Sequence, residues 1–220
     1  MIFVTFICKS PSYQRNHLAN MATQQLTIPM FPLNLVILPG ETKPLHIFEE
    51  RYKQLVNDCI INNAHFGIPF VQHKSIGNYG IEVRIKNIVK TYDNGEMDIV
   101  VEGIKVFKML EFSQVLTPKL YGAGVIKQEE DSNLKPSHFL QELIKEYLWV
   151  AQQNTVPIDA FDNTNIYGIA RLVELSNQEK YDLIKANSLH EKELILREKL
   201  KLFIHLIKTE NELKSRFIFN

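Results

Sequence analysis

A proline-rich stretch limits most strongly what this chain can fold into. Residues 28–52 read IPMFPLNLVILPGETKPLHIFEERY and contain four prolines. Because proline fixes φ and lacks a backbone N–H, no long helix can pass through this stretch. The pieces between the prolines are short and apolar. The first of them, Leu35–Leu38, holds the β-branched pair Val36-Ile37, and this pair favours a strand.

The second half of the stretch predicts a turn, a strand and a helix. Pro39-Gly40 is typical of a tight turn, since glycine accepts the positive φ that such a turn needs. Leu45–Phe48 is a second short apolar piece. Apolar residues then recur at spacings of three and four, as on one face of a helix: Phe48, Tyr52, Leu55, Val56, Cys59 and Ile60. We therefore expect strand, turn, strand and helix in one compact unit.

Short strands are predicted from residue 65 to residue 127. The segments with apolar runs or alternating apolar residues are His65–Val71, Ile81–Ile85, Met97–Val101, Ile104–Met109 and Leu120–Lys127. Gly77–Gly80 (GNYG) is interpreted as a turn, and Asn94-Gly95 is the pair that type I′ hairpin loops prefer. Gly103 predicts a bend or bulge. About six short strands with one helix predict a strongly coiled sheet or pseudo-barrel.

The pattern becomes helical after a polar linker at Glu129–Pro136. Two apolar faces with helical spacing follow, one between residues 139 and 148 and one between residues 166 and 173. Ser176–Glu179 and Ser188–Glu191 fit the capping box, in which serine and glutamate satisfy free amides at a helix start. Four helices with short connections predict a C-terminal bundle.

Several short motifs in the proline-rich stretch resemble the opening of the Lon N-terminal (substrate-binding) domain family. These are FPL (Phe31–Leu33), LPG (Leu38–Gly40), PL (Pro44-Leu45) and IFEERY (Ile47–Tyr52), and a looser likeness continues to about residue 205. The sequence is most similar to stand-alone members, which carry this domain without the ATPase and protease parts. The resemblance implies an α+β fold, with a PUA-like β pseudo-barrel and one helix in residues 23–130. A helical subdomain is expected in residues 131–220.

Residues 1–22 carry no periodic pattern and are expected to lie outside the folded domain. Met1–Cys8 is apolar, but it lacks the basic residues and cleavage site of a secretory signal. A start placed upstream of a natural one at Met21 is the preferred account, and a disordered extension is the next. A secretory signal is the least favoured of the three.

The sequence holds no recognisable catalytic or metal-binding pattern. No Gly-Lys pair occurs, so an ATP-binding P-loop is excluded. The seven histidines are scattered and the two cysteines lack zinc-ligand spacing, so no metal or cofactor is expected. The formal net charge is 0, which argues against a nucleic-acid or anionic-membrane surface. No apolar run reaches the ~18 residues of a membrane span, and the two cysteines suit a reducing, cytoplasmic location.

Binding of an extended peptide is the function that remains. A coiled sheet with exposed edges can take a peptide by strand addition or in an apolar groove. The candidate lining residues are Phe31, Leu33, Leu38, Pro39 and Phe48, and the alternative is that all five are ordinary core residues. By resemblance, the partners are unfolded or tagged polypeptides, together with a protease or chaperone in protein quality control. An RNA-binding PUA-like module and a hydrolase with an unrecognised site are the rival functions.

Overall fold

The computed structural model describes residues 25–130, 134–151 and 164–218, with side chains described as far as Lys214. The expectation for residues 1–22 concerns a segment outside these ranges. The strands are β1 (Gln25–Met30), β2 (Thr42–Ile47), β3 (Phe66–Gln72), β4 (Ser75–Thr91), β5 (Met97–Ser113) and β6 (Gly122–Gln128). The helices are α1 (Glu50–Asn62), α2 (His138–Val150), α3 (Ile166–Ala170), α4 (Asn177–Lys185) and α5 (Leu189–Ile218). None of these helices is long and apolar enough to cross a membrane.

The six strands form one curled sheet in the order β2-β5-β4-β3-β1-β6. The long strand β5 also pairs with β6, so five strands close on themselves and β2 lies outside the ring. The sheet curves where the pairing register between β4 and β5 shifts at β-bulges. Glu82 faces Lys105 while Val83 faces Gly103, so one extra residue bulges from β5 at this point. The predicted pseudo-barrel followed by a helical part is confirmed, as is the bulge at Gly103.

Leu35–Leu38 is not a strand, and here the sequence prediction is wrong. The segment is an irregular coil in which Val36, Ile37 and Leu38 are all at most 2% exposed. Two of its backbone amides donate to side chains instead of to a neighbouring strand. Val36 N donates to Asn177 Oδ1 at 3.2 Å, and Leu38 N donates to the Glu41 carboxylate at 2.9 Å. These side-chain acceptors satisfy buried amides that no neighbouring strand pairs with, so the segment can be buried without joining the sheet.

The predicted turn at Gly77–Gly80 is also wrong, because both glycines lie inside β4. The reversal comes earlier, at His73 and Lys74, whose positive φ values of 48° and 65° suit a two-residue type I′ loop. Gly77 is needed for close packing instead. A Cβ placed there would lie 2.3 Å from the Tyr181 hydroxyl oxygen.

The β4–β5 hairpin is confirmed, but its loop is not of type I′. Gly95 has a φ of 78°, whereas Asn94 does not have the second positive φ that a type I′ loop requires. Gly95 N donates to Tyr92 O at 2.9 Å, so an ordinary turn is followed by a left-handed glycine. The prediction from the Asn94-Gly95 pair is therefore correct for the position of the hairpin and wrong for the type of its turn.

The helical part packs on the β-part through one continuous core. The main apolar cluster joins residues of the sheet, such as Ile68 and Ile99, to helical residues such as Tyr167 and Leu196. The capping box at Ser176 and Glu179 is present in full. At Ser188 the Glu191 amide donates to the serine hydroxyl, but the Glu191 carboxylate accepts from the amide of Asn187, one residue earlier than predicted.

Candidate functional site

An apolar groove opens at one end of the pseudo-barrel, where β1 and β5 end and β6 begins. Its volume is about 380 Å³, within the ~300–1,000 Å³ of ligand sites in proteins. The side chains that form its two facing sides include Pro32, Tyr52, Val71, Phe112, Val115 and Leu120. Most of the lining is apolar, so the groove suits an apolar ligand.

Tyr52 on α1 forms one side of the groove and is held firmly in place. Its ring stacks against the buried Phe31, with 4.0 Å between ring centroids. The Arg51 guanidinium lies 4.6 Å from the Tyr52 ring centroid, and it pairs with Glu49 at 2.6 Å. Burial raises the pKa of the Tyr52 phenol, against the opposing effect of Arg51, so the ring is neutral near pH 7. This side of the groove is therefore rigid and aromatic.

The segment between β5 and β6, residues 114–121, forms the opposite side. It is anchored to α1 by polar contacts. Lys119 Nζ and the Tyr121 hydroxyl both donate to Asp58 Oδ2 at 2.7 Å, and Leu120 N donates to Gln54 Oε1 at 2.8 Å. These partners, Lys119 first and then Tyr121, lower the pKa of the Asp58 carboxyl. These contacts hold the loop against α1, and the Leu116 amide, which donates to Tyr121 O at 2.9 Å, holds the loop together internally.

Three large apolar side chains of this loop are exposed, and two of them, Val115 and Leu120, line the groove. Val115 is 58% exposed and Leu120 is 57% exposed, although both are large and hydrophobic. Lys119 and the buried Tyr121, the neighbours of Leu120 on either side, hold this part of the loop on α1 through Asp58. Exposed apolar side chains beside an apolar groove are typical of an interaction surface.

Among the residues that the structure describes, the groove is lined by no carboxylate, histidine or cysteine. Arg51 is the one charged residue of its lining, and this charge is already paired with Glu49. In the described ranges no group of three or more His, Cys, Asp or Glu residues could hold a metal ion. The arrangement is suited to binding.

The five residues predicted from the sequence do not converge on this groove. Phe31 is 6% exposed and lies behind Tyr52, while Leu33 is half-buried. Leu38 and Pro39 are buried where the coil meets the helical part, and Phe48 is 59% exposed beside His46. Burial of Phe31, Leu38 and Pro39 favours the alternative that these are core residues. Their part in peptide binding stays a prediction.

The sequence reasoning missed Val115 and Leu120. The first received no prediction, and the second was assigned to the last strand, which starts two residues later at Gly122. The sequence of residues 114–122, QVLTPKLYG, does contain a feature that indicates an exposed apolar loop. Its apolar residues stand next to proline and lysine without the period of a strand or helix.

The fold is that of Lon N-terminal domains. A Lon N-terminal domain protein from Xanthomonas campestris superposes with a TM-score of 0.60 at 24% identity, covering 78% of this chain and 97% of that one. The N-terminal domain of Lon protease from the Mycobacterium avium complex gives a TM-score of 0.61 at 14% identity, covering 80% of this chain and 98% of that one.

The sequence itself places the chain in a family. Residues 27–203 match the ATP-dependent protease La (LON) substrate-binding domain, and the chain belongs to that family. It is also 22% identical over 218 residues to the Lon protease of Flavobacterium johnsoniae. That match covers 89% of this chain but 26% of the Flavobacterium protein. The matched family is the substrate-binding domain, distinct from the protease domain.

Proposed function

We propose that this chain is a non-catalytic module that binds unfolded or tagged polypeptides and serves as an adaptor in cytoplasmic protein quality control. Its family is named for substrate binding, and the groove at the end of the pseudo-barrel offers an apolar surface for an extended segment. A protease or a chaperone would be the partner that acts on the captured polypeptide. The adaptor role rests on the family, and the binding site rests on the groove.

The exposure of Val115 and Leu120 is the observation that carries this proposal. Both are more than half exposed on a loop that three hydrogen bonds tie to α1. A ligand that covers them gains apolar burial without first ordering the loop, so little conformational entropy is lost on binding. Tyr52 lines the same groove with a firmly held ring that is 7% exposed, and tyrosine is a residue type enriched among binding hot spots.

The charges of the groove support a polypeptide over RNA. An RNA surface requires a cluster of unpaired basic residues beside exposed aromatic rings. Among the lining residues the one cation is Arg51, which is paired with Glu49. The described lining residues also include no serine, cysteine, histidine or carboxylate from which a hydrolase could build a nucleophile–base pair.

Substitutions on the loop test the proposal. Val115→Asp and Leu120→Asp should each weaken capture of reduced, carboxymethylated α-lactalbumin, a permanently unfolded probe, by about tenfold or more. Ile61→Asp is the matched control, because Ile61 is 80% exposed on α1 and does not line the groove. Since all three side chains are exposed, denaturant melts should stay within about 0.5 kcal/mol of wild type.

Two further assays separate the rival functions. A labelled oligouridylate should bind no more tightly to wild type than to Leu120→Asp, and purified protein should turn over neither ATP nor casein. Wild-type capture of the unfolded probe by both loop variants would remove the groove from the proposal. RNA binding or casein cleavage that persists through repurification would establish a rival.

A further inference from the structure

The β3–β4 loop has a backbone conformation that is unusual for the residues it contains. Gln72 pairs with Ser75, so the loop consists of His73 and Lys74, with φ values of 48° and 65°. A type I′ loop normally holds asparagine, aspartate or glycine at these positions, because other side chains are strained at positive φ. Lysine at the second position is therefore less stable than glycine or asparagine would be. Residues held in such conformations are concentrated at functional sites.

The β3–β4 loop lies beside the apolar groove. Val71 and Ile76 both line the groove, and they pair with each other across β3 and β4, just before and just after the loop. Lys74 is exposed and is two residues from Ile76. Its flexible four-carbon side chain can therefore reach a ligand that leaves the groove past this loop.

The positive charge of Lys74 is available to a ligand. Among the residues that the structure describes, Lys74 forms no ion pair and no hydrogen bond through its side chain. Such an ammonium group gains a partner when an acidic side chain binds nearby, and no contact within the domain has to be broken first.

The acidic groups nearest the groove do not oppose an acidic ligand. On α1 the Glu49 carboxylate is paired with Arg51, which lines the groove. On β5 Glu111 is next to the lining residue Phe112, and the alternation of a strand places these two side chains on opposite faces of the sheet. The charge that Lys74 adds beside the groove is therefore complementary to an acidic group of the ligand.

We propose that Lys74 makes the groove selective for apolar polypeptide segments that are flanked by acidic residues. The inference rests on the proposed function for the identity of the site and adds the class of polypeptide that the site prefers. The apolar part of such a segment covers Val115 and Leu120, and its acidic flank pairs with Lys74 as it passes the β3–β4 loop. An exposed ion pair of this kind changes affinity by about two- to fivefold.

Two labelled peptides test the preference. Both contain the apolar core Phe-Leu-Val-Phe, flanked on each side by two aspartates in one peptide and by two asparagines in the other. Because aspartate and asparagine have nearly the same shape, the peptides differ mainly in charge. Fluorescence anisotropy should show that the wild-type protein binds the aspartate peptide about threefold more tightly. This preference should shrink as the salt concentration rises from about 0.05 M to about 0.5 M.

The same exchange on the protein tests the role of Lys74. Lys74→Asn removes the charge and Lys74→Asp reverses it, and both new residues tolerate a positive φ, so the melting temperature should not fall. Lys74→Asn should bind the two peptides equally, and Lys74→Asp should prefer the asparagine peptide. Lys86→Asn and Lys86→Asp are the matched controls, because Lys86 is exposed further along β4 and does not line the groove. Both should keep the wild-type preference.

The outcomes separate this inference from the proposed function. Equal binding of the two peptides by the wild-type protein would overturn the inference and leave the groove as an apolar site without charge selectivity. A preference that survives in Lys74→Asp, or that Lys86→Asp removes to the same extent, would place its origin elsewhere and also overturn the inference. If the wild-type protein binds neither peptide and does not capture carboxymethylated α-lactalbumin, the proposed function fails, and this inference fails with it.

Discussion

The ammonium group of Lys180 on α4 donates hydrogen bonds to both oxygens of the Glu41 carboxylate, at 2.7 Å and 2.9 Å. The two side chains are only 12% and 16% exposed. Glu41 also accepts from the backbone amide of Leu38 at 2.9 Å. One carboxylate therefore fixes the buried coil internally and attaches it to the helical part.

The Glu41–Lys180 contact predicts a pH-dependent contribution to stability. Burial alone would raise the Glu41 pKa, but Lys180, the Leu38 amide and Lys43 outweigh burial and lower it from 4.5. Because the folded pKa lies below the unfolded one, the contribution is present above about pH 4.5 and is lost as the pH falls through the folded value. Urea melts of Glu41→Gln should show a loss of ~1–3 kcal/mol at pH 7. The difference from wild type should shrink at acid pH.

A double-mutant cycle provides the control for this pair. Lys180→Ala combined with Glu41→Gln should cost less than the sum of the two single changes, because both remove one interaction. Strict additivity, together with a pH-independent difference, would show that the contact contributes nothing.

Phe31 and Phe48 separate the core and groove interpretations of the sequence-predicted site. Phe31→Ala removes a ring that is 6% exposed and stacked on Tyr52, so it should cost ~3–5 kcal/mol of stability. Phe48→Ala removes a ring that is 59% exposed and should change stability by less than ~1 kcal/mol. Denaturant melts and capture assays on both variants are the measurement. Weaker capture by a stable Phe48→Ala protein would place Phe48 in the binding surface.

Cys59 should be chemically silent in the folded protein. Burial chiefly, with the nearby Asp58 charge, raises its pKa to about 11, so the reactive thiolate is scarce at pH 8. Relative to an ordinary value of 9.0, two pH units correspond to a rate about a hundredfold lower. Iodoacetamide labelling followed by mass mapping should show Cys59 modified only after denaturation. Rapid labelling of Cys59 in native buffer would mean that α1 opens readily.

His46 and Asp98 form an exposed cross-strand pair whose titration is predictable. The Nδ1 atom of His46 lies 2.7 Å from Asp98 Oδ1, and this hydrogen bond raises the His46 pKa above 6.5. The contribution of this contact to stability is fully present at pH values below the pKa that His46 has in the unfolded chain. It is lost as the pH rises through the higher pKa that His46 has in the folded protein. NMR titration should place His46 above 6.5, and Asp98→Asn should lower its midpoint. Glu96→Gln should lower it less, since Glu96 is farther from the ring at 3.3 Å. The reverse order would contradict this assignment.

The regular elements of this fold follow from sequence because local patterns specify them. Alternating residues locate β5, three-and-four spacing locates α1, and Ser176 begins α4 as its capping box predicts. The coil at Leu35–Leu38 could not be predicted in this way. Its hydrogen-bond partner Asn177 lies 141 residues further along the chain than Val36, beyond any local pattern.

The groove was harder to predict than the fold for a related physical reason. Its two sides come from α1 and from the loop holding Val115 and Leu120, which are brought together by Asp58 and Gln54. Apolar residues within a proline-rich run are the obvious candidates from sequence, yet that run supplies core residues such as Leu38. Whether an apolar side chain is exposed depends here on hydrogen bonds between residues more than 60 positions apart. The order of apolar residues in the sequence does not reveal such contacts.

The side-chain anchoring of the coil also has a consequence for biosynthesis. The backbone groups of Val36 and Pro39 find their partners at Asn177 and Arg171, which lie 141 and 132 residues later in the chain. At about 5–20 residues per second, translation delivers those partners roughly 7–30 seconds after the coil itself. During that interval the coil's apolar residues have no finished surface to cover them. A nascent chain of this protein is therefore itself exposed to chaperones until α4 has been made.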